Sequence, residues 1–173
     1  MEEVILSKYT SEWEKEYNHE KEKITRVLRP IQIGIEHIGS TSVPGLKAKP
    51  TIDIMVGIKD LKDLNQTYKD ELKNIGYEYV HHPDFQERLF LRKGKWRAGT
   101  HHLHVYKHNG SHWLSNLLFK NYLIKHPKVL RKYQLLKEQL SDVHKNDRVQ
   151  YTKAKEPFIL NIIELAKKEN DCQ

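Results

Sequence analysis

The fold is decided by residues 36–57, which read Glu-His-Ile-Gly-Ser-Thr-Ser-Val-Pro-Gly-Leu-Lys-Ala-Lys-Pro-Thr-Ile-Asp-Ile-Met-Val-Gly. This stretch predicts a strand, a glycine-rich turn and a second strand. Just upstream, Ile31, Ile33 and Ile35 alternate with polar or small residues, which is the period of a half-buried strand ending near Ile38. The chain therefore predicts two neighbouring strands joined by a short polar loop.

The second strand of this pair, residues 51–58, carries one carboxylate among apolar neighbours. Its two faces present Ile52, Ile54 and Val56 on one side and Thr51, Asp53 and Met55 on the other. A buried carboxylate is costly unless it is paired, hydrogen-bonded or bound to a cation. Asp53 is therefore predicted to be a functional residue.

The turn between the strands has the chemistry of an anion site, because small side chains leave several backbone N–H groups accessible together. A later predicted strand, residues 87–92, adds arginines, whose guanidinium groups bind phosphate in a bidentate manner. An exposed edge strand that carries charges against aggregation is the alternative for those arginines. The residues predicted to bind phosphate are Gly39, Ser40, Thr41, Ser42, Lys49 and Arg88.

A histidine pair lies on a further predicted strand, residues 100–106. His102 and His104 share one face of that strand, so both imidazoles can bind one metal ion. With Asp53 they form a two-histidine, one-carboxylate set suited to Zn²⁺, Mn²⁺ or Fe²⁺. The same three residues are the predicted catalytic group. Histidines that only form hydrogen bonds or contact phosphate, without a metal, remain the alternative.

A wider pattern resembles the signature of the GrpB family and covers almost the whole chain. It is carried by residues 37–46, 48–54, 102–105, 121–123, 126–127 and 151–155. The resemblance implies a nucleotidyltransferase-like fold, in which a Gly-Ser turn contacts a triphosphate and an Asp-x-Asp pair on the next strand holds two Mg²⁺ ions. Gly39 and Ser40 match that turn, and Asp53 matches the first acid. Met55 replaces the second acid, and a thioether is a poor Mg²⁺ ligand.

Three functions follow as hypotheses. The first is a protein that binds a nucleotide or another phosphorylated small molecule and transfers a nucleoside monophosphate to an unknown acceptor with Mg²⁺ or Mn²⁺. The second is a non-catalytic folding or accessory module, because similar domains are fused to dephospho-CoA kinase in some bacteria, which makes that kinase a candidate protein partner. The third is a mononuclear metal hydrolase, in which Zn²⁺ would be held by Asp53, His102 and His104.

Composition and element order predict one α+β domain, residues 1–173, with a mixed sheet in about residues 1–108 and a helical part in about 109–173. Predicted helices include residues 60–74, 111–125, 128–143 and 152–168. The 30 Lys and Arg residues exceed the 23 Asp and Glu residues by seven. This excess favours polyanionic ligands.

Nucleic acid is an unfavoured partner, because the basic and aromatic residues cluster only in one predicted loop, residues 93–99. No apolar run approaches the length of about 20 residues that a membrane span requires. The single cysteine, Cys172, cannot form an intramolecular disulfide, which is typical of a reducing compartment. The sequence therefore predicts a cytoplasmic protein without a membrane partner.

Overall fold

The computed structural model describes residues 4–83, 85–95 and 98–171. Within them the order of elements is α1 (Glu12–Leu28), β1 (Gln32–Ile38), β2 (Ile52–Ile58), α2 (Gln66–Asn74), β3 (Tyr77–Val80), β4 (Leu89–Lys95), β5 (Ala98–Lys107), α3 (Ser111–Lys125), α4 (Pro127–Val143) and α5 (Arg148–Asp171). Two short 3-10 turns lie at Ser40–Ser42 and Leu61–Asp63. The predicted α+β class is confirmed.

The five strands form one mixed sheet in the order β1-β2-β5-β4-β3. The central pair, β2 and β5, is parallel, and each of the other neighbouring pairs is antiparallel. Helices α1 and α2 pack on one face, where the main core includes Leu28, Leu72 and Val56. Trp113 of α3 packs on the other face against Met55 and Tyr106. The alternation predicted for β2 is confirmed, because its two faces contribute to these two different clusters.

The predicted alternation in β1 is wrong at Ile33, which is 55% exposed. The register between β1 and β2 shifts between Gln32 and Gly34, so Ile33 is the extra residue of a β-bulge. A period-two pattern assumes regular pairing, and the bulge turns this one apolar side chain towards solvent.

The helix predicted at residues 60–74 is shorter than expected and begins at Gln66. Asp60 instead caps the 3-10 turn that precedes it, and the Asn65 side chain accepts a hydrogen bond from the Tyr68 N–H. Two successive N-capping side chains therefore divide the predicted helix into two pieces.

The last helix begins at Arg148, four residues earlier than predicted, because Asp147 Oδ1 accepts hydrogen bonds from the N–H groups of Val149 and Gln150, each 3.1 Å long. The predicted loop 93–99 is largely strand, since β4 extends to Lys95 and β5 begins at Ala98. Residues 96 and 97, and Cys172, lie outside the described residues. None of the helices described in residues 4–171 has the length and apolar content of a membrane span.

A buried carboxylate, Glu20, ties α1 to the sheet and is 1% exposed. Tyr77 of β3 donates a hydrogen bond to it at 2.8 Å, and Lys93 of β4 donates at 2.8 and 2.9 Å. Lys23 binds the same carboxylate at 2.8 Å. Burial alone would raise the pKa of Glu20, but these three donors outweigh it and lower the pKa to about 2.

Glu20 makes stability dependent on pH. A carboxyl group with a lowered folded-state pKa stabilises the fold above its ordinary pKa of 4.5, and loses that contribution as the pH falls towards about 2. The contribution amounts to about 3 kcal/mol. We expect Glu20→Gln to lower the free energy of unfolding at pH 7 and to flatten its decline between pH 5 and 2. Urea unfolding across that range, with the exposed Glu22→Gln as control, measures both; parallel curves for wild type and Glu20→Gln would refute this assignment.

Candidate functional site

The parallel register of β2 and β5 brings the predicted metal ligands together. Asp53 pairs with His102, and the residue two positions along β2 pairs with His104. His102 Nδ1 lies 3.0 Å from Asp53 Oδ1, and His104 Nε2 lies 3.4 Å from the same oxygen. We call these three residues the donor triad. Their convergence on one face of the sheet agrees with the geometry expected from the sequence.

The charges within the donor triad suit a cation. Burial by itself raises the pKa of Asp53, but the hydrogen bonds and charges of His102 and His104 outweigh this effect and hold that pKa below its usual range. Burial also lowers the pKa of His104, against the opposing effect of Asp53. The site therefore combines an ionised carboxylate with a neutral imidazole near neutral pH.

The triad also meets the geometric requirement for a metal ion. One donor atom from each residue lies within 4.8 Å of the others. His104 Nδ1 is buried and has no hydrogen-bond partner within the described part of the chain. One carboxylate oxygen and two imidazole nitrogens form a donor set used for Zn²⁺, Mn²⁺ or Fe²⁺. The residues present therefore fit a single divalent ion.

Gly39 allows the turn to pass close to Asp53. Its φ of +71° lies in the left-handed region. An ideal Cβ at this position overlaps Asp53 Oδ2 and lies 3.1 Å from its Cγ. Glycine is therefore needed at this position both for the backbone conformation and for the space beside the carboxylate.

The turn at residues 39–42, called the serine turn below, is held by hydrogen bonds of its own. His37 Nε2 lies 3.0 Å from Thr41 Oγ1, and Thr41 donates to the Thr51 carbonyl at 3.2 Å. Burial lowers the pKa of His37 to about 4, so this histidine is neutral and orients the turn. Ser42 Oγ donates to the Gly39 carbonyl at 2.6 Å and faces a second cavity. Ser42 and Gly39 therefore do not line the cavity over Asp53, whereas Ser40, Thr41, Lys49 and Arg88 do.

A cavity of about 520 Å³ opens over the donor triad. It is bounded by the serine turn, by the β4 side of the sheet, and by α4 and α5. Its cationic residues are Lys49, Arg88, Lys137, Arg148 and Lys155, joined by the neutral residues Ser40, Thr41, Phe90 and Tyr151. Asp53 is the one carboxylate among the described residues that line it. Such an excess of positive charge favours a polyanion.

The cations from α4 and α5 are crowded together. Lys137 is 1% exposed and donates a hydrogen bond to the Lys47 carbonyl. Burial and the charge of Lys155 lower the pKa of Lys137 to about 7. Burial lowers the pKa of Lys155 to about 8, and Arg148 acts in the same direction. A bound anion would relieve this repulsion.

The loop that leads into β2 is fastened to α4. Lys47 Nζ forms an ion pair with Glu138 at 2.7 Å, and the Lys47 N–H donates to Gln134 Oε1 at 3.3 Å. The next residue, Ala48, forms an isolated antiparallel bridge with Ser7. These contacts fix the position of Lys49, which lines the cavity one residue further on.

Two of the cationic residues that line the cavity, Lys137 and Arg148, were not predicted from the sequence. Lys137 did carry a signal, because it occupies an apolar-stripe position of α4 together with Leu130, Tyr133 and Leu140. A lysine on such a stripe is either buried with a partner or aimed into a cavity. Arg148 lies in the first turn of a helix whose start was predicted later, so no pattern pointed to it.

Met55 is buried away from the cavity. It is 0% exposed and packs with Ile38, Tyr106 and Trp113. It occupies the position at which the two-metal pattern places its second acid, and α3 covers it. The described residues around the triad therefore supply ligands for one ion. Among those that line the cavity, no other carboxylate replaces the second acid of the two-metal pattern.

The fold belongs to the nucleotidyltransferase-like class. The crystal structure of Cid1 poly(U) polymerase with magnesium 3′-dATP bound matches with a TM-score of 0.56 and 13% identity, over 86% of this chain and 49% of that one. The structure of Cid1 in complex with its short product ApU gives a TM-score of 0.55 and 15% identity. At these identities the likeness shows the fold alone.

The chain itself belongs to the GrpB family. The family model described as GrpB protein matches residues 3–165. The crystal structure of conserved protein GrpB from Enterococcus faecalis is 34% identical, has a TM-score of 0.88, and is matched over 96% of this chain and 99% of that one. The glutamate-rich protein GrpB of Alkalihalophilus pseudofirmus is 31% identical over 93% of this chain and 94% of its own length.

One relative is much longer. The UPF0157 protein YqkA of Bacillus subtilis is 34% identical over 96% of this chain, but the match spans only 47% of YqkA. The domain found here is therefore also part of a larger protein.

Proposed function

We propose that this protein binds a nucleoside triphosphate, or another small molecule with a comparable polyphosphate group, in the cavity over the donor triad. The observation that carries the proposal is the charge of that cavity, where the described lining residues include five cationic side chains and one carboxylate. A cavity lined mainly by cationic side chains suits a polyanionic ligand. The proposed setting is the cytoplasm.

The phosphates are assigned to the side of the cavity formed by the serine turn and the helical half. The backbone N–H groups near Ser40 and Thr41 act as an anion nest, and Lys49 follows in the same loop. Lys137 and Lys155 supply ammonium groups from α4 and α5. Burial lowers the pKa of both lysines, and phosphate oxygens close to them would stabilise their charged forms.

A divalent ion is assigned to Asp53, His102 and His104: Mn²⁺ is preferred over Mg²⁺ because two of the three ligands are imidazoles, and Zn²⁺ is the alternative. When bound there, such an ion neutralises phosphate charge and polarises the phosphorus–oxygen bonds. Asp53 supplies the charge, and the two histidines supply imidazole nitrogens. The Phe90 ring packs against both imidazoles, with centroids 5.2 Å from each. With these parts, the reaction we propose is transfer of a nucleoside monophosphate to an acceptor, with pyrophosphate as the leaving group.

Calorimetric titration with each nucleoside triphosphate in the presence of Mn²⁺ tests the binding proposal. We expect one site and affinities in the order ATP, ADP, AMP, because each phosphate lost removes contacts with the cationic wall. Lys155→Ala is expected to weaken ATP binding by tenfold or more and to weaken AMP binding much less. The exposed neighbour Lys153→Ala is the matched control. Failure of every triphosphate to bind would defeat the proposal.

A non-catalytic module is the second candidate, and the burial of Met55 favours it, because the two-metal arrangement lacks its second acid. On this hypothesis the cavity binds its ligand without transfer, and a protein partner such as dephospho-CoA kinase uses the domain. Incubation with α-labelled triphosphates separates the two functions. Labelled product that disappears with Asp53→Asn supports transfer, and tight binding without product supports the module.

A mononuclear metal hydrolase is the third candidate and rests on the donor triad alone. It requires stoichiometric metal in the protein without nucleotide. Elemental analysis of purified protein showing far less than one transition-metal ion per chain would count against it.

A further inference from the structure

The order of strands places two cationic regions on opposite sides of the donor triad. The serine turn joins β1 to β2, Asp53 lies on β2, and the histidines lie on β5. Phe90 of β4 comes next, paired with His104. Since neighbouring strands are about 4.8 Å apart, β2 and β4 are separated by about 10 Å. Groups at the β4 side therefore face a part of the cavity away from the serine turn.

Arg88 is the cation on that β4 side. Its guanidinium lies 4.8 Å from the centre of the Phe85 ring and 5.3 Å from the centre of the Phe90 ring. Two aromatic rings therefore pack against the guanidinium, and one of them, Phe90, also contacts both histidines of the triad. Its Nε is buried and has no hydrogen-bond partner among the described residues. Burial raises the pKa of Tyr106, and the charge and hydrogen bond of Arg88 oppose that rise, so the Tyr106 hydroxyl is a partner of the guanidinium. No carboxylate of residues 4–83, 85–95 or 98–171 forms an ion pair with Arg88.

We propose that Arg88 forms a second anion subsite, distinct from the polyphosphate side, and that this subsite binds a phosphate group carried by the acceptor. The inference rests on the proposed function and names the class of acceptor, a phosphorylated small molecule. The reacting centre, at the donor triad, then lies between the two anions. A guanidinium preorganised by two rings is suited to bidentate recognition of such a phosphate.

The surroundings of each cationic residue indicate which of the two anions it binds. Lys137 and Lys155 lie with the serine turn on the side closed by α4 and α5, and the Lys47 carbonyl fixes Lys137 there. Arg88 instead contacts β4 and the segment before it, and its ring partner Phe85 also packs against His112 at the start of α3, with centroids 5.0 Å apart. One polyphosphate chain at the serine turn leaves the Arg88 side open for a second ligand.

Sequential calorimetry tests the two-subsite arrangement. The protein is first saturated with Mg²⁺ and α,β-methylene ATP, which cannot release pyrophosphate, and is then titrated with inorganic phosphate. We expect one phosphate to bind the loaded protein. Arg88→Ala should weaken phosphate binding at least tenfold more than it weakens analogue binding, and Lys155→Ala should show the reverse ratio. Arg88→Lys should retain part of the affinity, and Arg92→Ala, four residues further along the chain in β4 and outside the cavity lining, is the control.

The outcomes are distinguishable. If the analogue binds but phosphate does not bind the loaded protein, or binds Arg88→Ala as well as wild type, the Arg88 subsite is wrong and the nucleotide proposal stands. If the analogue fails to bind, the nucleotide proposal is wrong, and phosphate titration of the unloaded protein decides on Arg88. In that titration of the unloaded protein, two phosphate sites, one lost in Arg88→Ala and the other in Lys155→Ala, would support the Arg88 subsite. A single phosphate site would overturn the proposal of a separate Arg88 subsite.

Discussion

Gly39→Ala is expected to abolish binding of a divalent ion and to lower the free energy of unfolding by about 2 kcal/mol. The stability loss comes from an L-residue held at φ +71° and ψ −174°, a backbone region that is essentially confined to glycine and costs about 1–3 kcal/mol. The loss of binding has a different cause. The added Cβ overlaps Asp53 Oδ2, so the carboxylate must rotate away from His102 and His104, and the donor triad separates.

Gly45→Ala separates these two effects. Gly45 lies in the same loop at φ +82°, but an added Cβ there meets nothing within 4 Å. We therefore expect a comparable loss of stability in urea unfolding and ion binding close to wild type. Calorimetry with Mn²⁺ on both variants measures the difference. Equal losses of Mn²⁺ affinity in both would mean that loop strain, and not the position of Asp53, controls the site.

Asp53→Asn is expected to lower Mn²⁺ affinity by a factor of about 100 or more, because it removes the one carboxylate of the triad while keeping its shape. Binding of ATP in the presence of Mn²⁺ should fall with it. The folded state should persist, since a neutral amide in this half-buried place has a smaller desolvation cost than a carboxylate.

The control for this variant is Asp70→Asn, which changes an exposed carboxylate on α2 that bonds only Gln66 among the described residues, at 2.8 Å. It should bind Mn²⁺ as wild type does. Wild-type affinity in Asp53→Asn would place the ion elsewhere in the molecule. Equal weakening in the two variants would instead point to a general effect of protein charge.

Local sequence patterns predicted the sheet side of the site well. The period-two patterns of β2 and β5 put Asp53, His102 and His104 on side-chain faces that a parallel register could bring together. Whether the two strands are neighbours is a long-range property that periodicity does not record. The predicted roles of these residues in binding metal and phosphate stay predictions until ligands are measured.

The helical side of the cavity could not be predicted in the same way. Lys137 faces the serine turn only because α4 folds back over the loop 43–50, and no local pattern records that approach. The bulge at Ile33 and the direction of Ser42 likewise depend on tertiary contacts. Met55 was recognised as a departure from the Asp-x-Asp pattern, but its burial beneath Trp113 is visible only in the folded chain.

The most direct test of the central claim is anomalous diffraction from crystals grown with Mn²⁺ and α,β-methylene ATP. We expect one manganese peak within bonding distance of Asp53 and both histidines, at about 2.0–2.3 Å, with the phosphates between the serine turn and Lys155. A manganese peak away from Asp53, or an ordered nucleotide with its phosphates outside this cavity, would contradict the account.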